Sequence, residues 1–271
     1  MQIDFWNKGK NEKARAFLAE QSPVIIMGRG HSGTRVLAWA CTYLGLKLGT
    51  NEGLATGDAD DVNFTRTIRK IATNNVGVTN VADLRNRDIN SCLNAVYGYY
   101  QRLSPKEQIW GWKFPETYLI GAYIEKIFPK ARYLHLVRDG RDIAFKNHIT
   151  DNPKRKLGKK ILSLKKAEQF PHHLQAAASW AIQVDLFEQF AQTISADKIF
   201  YLRFEDLCMK PLEVVGRLCD FLNLPLTNQC EKYLTENINT KKVSQYREND
   251  PDLVKEVEKE IAPQLEKYQY L

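Results

Sequence analysis

The sequence predicts an α/β fold in which a central parallel sheet is covered by helices on both faces. Short apolar runs at 23–27, 109–113, 133–137 and 198–202 have the length and character of strands buried on both sides. Each run is followed by a stretch with apolar residues at helical spacing, the alternation that builds parallel sheets. The first run passes directly into a glycine-rich turn and then a helix, a unit whose backbone N–H groups suit an anion.

In chain order, Pro23-Val-Ile-Ile-Met27 gives the first strand, and residues 34–45 form a helix that stops near Gly45. A second strand over 109–113 leads into a helix from about 116 to 128. The third strand, 133–137, passes through Arg138-Asp139-Gly140 into another helix. The fourth, 198–202, precedes a helix over 212–222 that begins after Pro211. Further helices are expected over 83–102, 173–194 and 251–268. Residues 153–166 carry seven lysines and arginines, either as a solvated loop and helix start or as a flap near an anionic ligand.

A chain of 271 residues with 44% hydrophobic residues builds a core without disulfides or metals. No repeat or low-complexity linker divides it, so residues 1–271 are expected to form one domain. The net charge of +7 and the pI near 9.0 suit an anionic ligand. Zinc-finger spacing, an aromatic RNA-binding signature and an arginine-rich tail are all missing, so nucleic acid is not the expected partner. The cysteines at 41, 92, 208, 219 and 230 are odd in number and form no Cys-x-x-Cys pair, which reads as buried free thiols. The amino terminus lacks a signal-peptide core, and no apolar run is long enough to span a membrane. The expectation is a soluble, cytoplasmic protein.

The loop Gly28-Arg29-Gly30-His31-Ser32-Gly33-Thr34-Arg35 has the glycine separation of a Walker A motif. However, Thr34 stands where that motif has lysine and Arg35 where it has the magnesium-binding hydroxyl. The anion cradle survives while the machinery of nucleoside triphosphate hydrolysis does not.

Gly-x-x-x-Ser-Gly-Thr after a buried strand resembles the 5′-phosphosulfate loop of the sulfotransferases that use 3′-phosphoadenosine-5′-phosphosulfate (PAPS), most nearly their bacterial and tyrosylprotein-type branch. Three more segments agree in order. The run from Tyr133 through Arg138-Asp139-Gly140-Arg141-Asp142 resembles that family's 3′-phosphate segment. Trp112-Lys113-Phe114-Pro115 resembles the lysine-proline segment beside the sulfuryl group. Tyr201-Leu-Arg-Phe204-Glu205-Asp206-Leu207, followed by Pro211, resembles the stretch near the adenine. The resemblance implies a P-loop kinase-like three-layer fold, PAPS as sulfuryl donor and no metal; the sequence does not identify the acceptor, for which a small molecule is expected ahead of a protein. Where the family usually has lysine or arginine this chain has His31, where it has serine this chain has Lys146, and Phe204 replaces a common tyrosine.

The resemblance implies a nucleotide site made of Arg29, Gly30, His31, Ser32, Gly33, Thr34, Arg35, Arg138, Lys146 and Phe204. Donors for the leaving 5′-phosphate are the 31–35 amides, His31 and Lys113, and a guanidinium at 138 suits the 3′-phosphate. A base must take the acceptor's proton. Glu52, 20 residues after Ser32, matches the tyrosylprotein-type placement; His31 competes with it, and Ser244 resembles a late serine near the transferring group. Two other classes remain: a P-loop kinase-like phosphotransferase, which needs the missing lysine, and a non-catalytic nucleotide- or RNA-binding protein, which the charge alone suggests. The acidic stretch 48–65 favours a cationic acceptor and the basic run 154–166 an anionic one, leaving hydroxyl and amine acceptors open.

Overall fold

The computed structural model describes residues 12–49, 59–106 and 108–271. Four parallel strands, β1 (Val24–Met27), β2 (Gly111–Lys113), β3 (Arg132–Val137) and β4 (Ile199–Arg203), lie in the order β2-β1-β3-β4. β1 is central, with Ile25 in register with Trp112 on one side and Tyr133 on the other. From β1 the chain moves outward to β2, and from β3 it moves outward to β4 in the opposite direction. Neighbouring strands whose connections diverge leave a crevice at their carboxyl ends, where ligands of such sheets bind.

The helices are α1 (Thr34–Tyr43), α2 (Val62–Asn74), α3 (Asn86–Leu103), α4 (Gly121–Ile127), α5 (Gly140–Ala144), α6 (Lys156–Ser163), α7 (His172–Ala191), α8 (Phe204–Met209), α9 (Pro211–Leu222), α10 (Asn228–Asn237) and α11 (Pro251–Lys267). Both faces of the sheet are apolar, and alternate residues feed separate cores. Ile25, Met27, Trp112 and Tyr133 pack with α2, α3, α4 and α7. Val24, Ile26, Leu134 and Leu136 pack with α1, α8, α9 and α10. A third cluster joins Val137, α5, α7 and α11 through Trp180, Val257 and Ile261. This is the expected three-layer arrangement, and all five cysteines are buried and unpaired. Among the described residues no helix is long and apolar enough to cross a membrane.

The local differences from expectation have local causes. The helix expected over 116–128 is two pieces, a 3-10 turn over Pro115–Leu119 and then α4, because Ile120 leaves helical geometry at φ −131°. α11 bends at Ile261, where Pro263 further along the helix has no N–H to donate back to the preceding turn. The basic run is mostly α6, which buries Leu157, Ile161 and Leu162 and leaves Lys156 and Lys159 exposed.

The tightest approach in the sheet is at Gly111. A Cβ there would stand 1.7 Å from the Val24 carbonyl oxygen, so β2 can lie beside β1 only with glycine at this position. Gly111→Ala is expected to lower stability by about 3 kcal/mol, read as a fall in the urea midpoint at unchanged slope.

Candidate active site

The loop from Gly28 to Gly33 turns out of β1 over the end of the sheet. Gly33 caps α1 at φ 91°, a left-handed conformation in which no side chain caps the helix. No acidic residue lies in the first turn of α1; the Val36 and Leu37 amides donate to the Gly33 carbonyl, and the positive end of the helix has no internal anion among the described residues. Phe204 packs against Gly33 so closely that a Cβ would meet its ring at 2.2 Å. Gly30 lies equally close to His148, whose Nε2 would be 2.3 Å from a Cβ. The loop is therefore pressed between an aromatic ring and an imidazole.

Arg138, at the end of β3, is buried and binds three segments. Its Nε and one terminal nitrogen donate to Asp142 Oδ2 at 3.2 and 2.8 Å. The same terminal nitrogen donates to the Lys242 carbonyl at 2.5 Å, and the other donates to the His31 carbonyl at 3.2 Å. Phe204 lies under the guanidinium, 4.5 Å from ring centroid to Cζ. Five N–H bonds with four acceptor contacts leave one N–H, on the nitrogen that faces the loop. Asp139 caps α5, accepting from the Arg141 amide at 2.9 Å, while its own amide donates to Glu205 at 3.0 Å. Burial raises the Glu205 carboxyl above its ordinary range, and the Tyr270 hydroxyl donates to it at 2.7 Å.

A cavity of about 470 Å³ lies at the crevice. It brings together eight of the expected residues: Gly30, His31, Gly33, Thr34, Arg35, Lys113, Arg138 and Phe204. Lys113 is buried at the end of β2, and its carbonyl accepts from the Ala59 amide at 2.8 Å. Pro115, Val36, His148 and Lys242 complete the lining, and of these His148 and Lys242 are polar residues to which the sequence reading gave no role. The signal for Lys242 was its place in the Lys242-Val-Ser-Gln-Tyr246 run already noted for Ser244; His148 lies two residues beyond Lys146 and carried no signal of its own.

Other expected contacts are placed differently. Arg29 is turned inward, where it forms a buried ion pair with Asp151 and donates to the Gly30 carbonyl at 2.8 Å. An arginine so held braces the loop from behind and is not part of the lining. Ser32 is buried and Lys146 reaches Gln245 Oε1 at 3.3 Å, both outside the lining. Ser244 stands in a left-handed turn at φ 57°, also outside the lining. Glu52 and Asp58 lie outside the described residues. Asp61 caps α2, accepting from the Phe64 amide at 2.9 Å, and pairs with Arg102, so its carboxylate is part of the helix frame.

His31 has φ 70° and its Nε2 lies 2.9 Å from the Asn147 carbonyl; since a carbonyl only accepts, Nε2 carries the proton. Burial is the main cause that lowers the His31 pKa below its ordinary value. Among the described residues no three His, Cys, Asp or Glu side chains stand together as a metal-binding group.

Comparison with known proteins bears on the family and the fold. The model of the sulfotransferase family matches residues 54–228. A protein-tyrosine sulfotransferase of Drosophila melanogaster is 26% identical over 113 residues, a stretch that is 42% of this chain and 20% of the fly protein. This chain thus matches about a fifth of that relative's length. The sulfotransferase domain from the curacin biosynthetic pathway superposes with a TM-score of 0.55 at 14% identity, covering 89% of this chain and 98% of that domain. The sulfotransferase domain of the Synechococcus PCC 7002 olefin synthase gives 0.53 at 16% identity, with 90% and 96% covered. At such identities the likeness is one of fold, the P-loop kinase-like fold of a parallel sheet between helix layers.

The Arg29–Asp151 pair behind the loop is testable by itself. Removing one charge of a buried pair leaves the other uncompensated. Asp151→Asn is expected to cost about 3–5 kcal/mol of stability, measured by chemical denaturation.

Proposed function

The chain belongs to the sulfotransferase family, and from that premise we propose that it moves a sulfuryl group from PAPS to a hydroxyl or amine of a small-molecule acceptor. The observation that carries this reading is the make-up of one crevice. The uncapped start of α1, Arg35, Lys113, Arg138 and Lys242 converge on a cavity walled at one end by Phe204. A nucleotide with phosphates at both its 5′ and 3′ positions needs two separate sets of donors and an apolar surface for its base, and this lining supplies all three.

In this reading the α1 amides, Arg35 and Lys113 hold the phosphosulfate end, and Lys113 steadies the charge that grows on the 5′-phosphate as sulfur leaves it. Arg138 and Lys242 hold the 3′-phosphate. The one remaining N–H of Arg138 and its guanidinium charge make that contact, with Asp142 fixing the fork in place. Phe204 gives the adenosine an apolar face. Sulfuryl transfer is an in-line displacement that depends on positioning and charge stabilisation, and the bound donor supplies the transferable group itself. A phosphotransferase reading is disfavoured by Thr34, which stands where the phosphate-binding lysine would be.

Two measurements check this. 3′-Phosphoadenosine-5′-phosphate (PAP) at a hundredfold its Kd should stabilise the protein by about 2.7 kcal/mol without added metal. A melting shift with magnesium-ATP and none with PAP would sink the sulfotransferase reading. Arg138→Lys keeps the charge but loses the fork, so PAP affinity should fall about tenfold, roughly 1.4 kcal/mol, by calorimetric titration. Adenosine 5′-phosphosulfate, which has no 3′-phosphate, should lose less than half of that; equal losses would move Arg138 away from the 3′-phosphate.

A further inference from the structure

A second cavity, of about 530 Å³, adjoins the first, and His148 is the residue that lines both. Its other walls include Asn152, Lys154, Arg155, His172 and Gln175. On the side of the first cavity, the His148 ring meets His31 edge to face at 5.7 Å, and its Nε2 lies against Gly30. Lys113 and Arg69 are near enough to act on it electrostatically. The imidazole therefore stands against the glycine loop, the part of the lining assigned above to the phosphosulfate.

Two contacts of Nδ1 bear on its tautomer. The Thr150 hydroxyl donates to Asp151 Oδ1 at 3.1 Å, and Asp151 is an ionised partner of Arg29. A hydroxyl has one proton, so Thr150 Oγ1 must accept from His148 Nδ1, 2.8 Å away. The Thr150 amide also lies 3.4 Å from Nδ1, a contact that would want the opposite tautomer. The shorter contact, completed by a carboxylate, prevails over one at the limit of hydrogen-bond length. With the proton on Nδ1, Nε2 keeps its lone pair and has no hydrogen-bond partner among the described residues. Burial first, then Arg29, His31, Arg69 and Lys113, lower the His148 pKa to about 3, so the ring is neutral at neutral pH. An anionic donor bound beside it would raise that value towards one at which a base takes up a proton.

The charge of the second cavity is also defined. Among the described residues its one carboxylate, Asp151, is paired with Arg29, while Lys154 and Arg155 supply positive charge. Resting on the donor assignment above, we infer that this cavity seats the acceptor, a hydroxyl compound that also carries an anionic group, and that Nε2 of His148 receives the hydroxyl proton. As the O–H bond breaks towards Nε2, the acceptor oxygen forms the new bond to sulfur. The bond from sulfur to the 5′-phosphate oxygen breaks and leaves its electron pair on that oxygen. The products are a sulfate ester, PAP and an imidazolium that returns its proton to solvent. His31 cannot share this task equally, because it lines only the first cavity and its Nε2 donates to Asn147.

Three phenols with similar hydroxyls test the proposal: 4-hydroxyphenylacetate, 4-ethylphenol and tyramine, each with PAPS and read by mass spectrometry. The expected order of kcat/KM is anion above neutral above cation, with about tenfold or more between the extremes. Lys154→Ala combined with Arg155→Ala should raise the KM for 4-hydroxyphenylacetate about tenfold. His148→Gln should lower kcat by ~10²-fold or more while PAP affinity and the PAP-induced melting shift stay at wild-type values. Nitrogen-15 NMR of labelled histidine should show His148 protonated at Nδ1 at neutral pH, a readout independent of turnover. Wild-type kcat in His148→Gln, loss of turnover in Glu52→Gln but not in His148→Gln, an Nε2–H tautomer, preference for tyramine, or no transfer to any of the phenols while PAP binds would each overturn the proposal. Failure of PAP itself to bind would instead remove the donor assignment.

Discussion

The carboxyl end of the sheet depends on one buried guanidinium. Arg138 joins the phosphate loop through the His31 carbonyl, the start of α5 through Asp142, and the late segment through the Lys242 carbonyl, with Phe204 packed beneath it. These groups come from four stretches of chain that are far apart in sequence. Burying an arginine is unfavourable unless its charge is matched and its donors are used, and four acceptor contacts with a carboxylate among them meet that condition. The same contacts leave a single N–H without an acceptor among the described residues, on the nitrogen that meets the His31 carbonyl. A side chain clamped in this way is oriented before any ligand arrives, which suits the phosphate contact proposed for it.

A second arginine works from the other side of the loop. Arg29 and Asp151 brace Gly30 from within, and Asp151 in turn holds Thr150, which holds His148. The loop that would meet the most negative part of a nucleotide is thus supported by a chain of polar contacts leading to the neighbouring cavity. Glycines at 30 and 33 matter here for closeness as much as for conformation, since His148 and Phe204 occupy the space a side chain would need. The site has no lysine in its glycine loop and draws cations from elsewhere: Arg35 from α1, Lys113 from β2 and Lys242 from the turn before α11.

The helix layers serve this arrangement by fixing where each segment returns. α7 is buried along much of its length and packs against α5 and α11, so the carboxyl-terminal helix is anchored and the 240–248 segment before it is carried back over the crevice. Tyr246 makes this return specific: its amide donates to Asp142 Oδ1 at 2.7 Å and its ring lies under Arg141. Asp142 therefore accepts from Arg138 with one oxygen and from the late segment with the other, and coordinates the two.

The sheet was legible in the amino-acid sequence alone. Four short apolar runs alternating with helical patterns read as parallel strands, and Lys113, Arg138 and Phe204 stood out because their segments resemble those of a known family, each at the carboxyl end of a strand or the first turn after one. Only the tertiary structure decided which polar side chains face the crevice. Arg29 and Arg35 look alike in sequence, yet one is drawn inward by Asp151, 122 residues away, and the other is left at the lining. Lys146 and Ser244 likewise lie outside the lining, while Lys242 and His148 are brought to it. The physical reason is that strand and helix periodicity are local properties of the chain, whereas the direction of a charged side chain follows its counter-charge, and that partner comes from a distant segment.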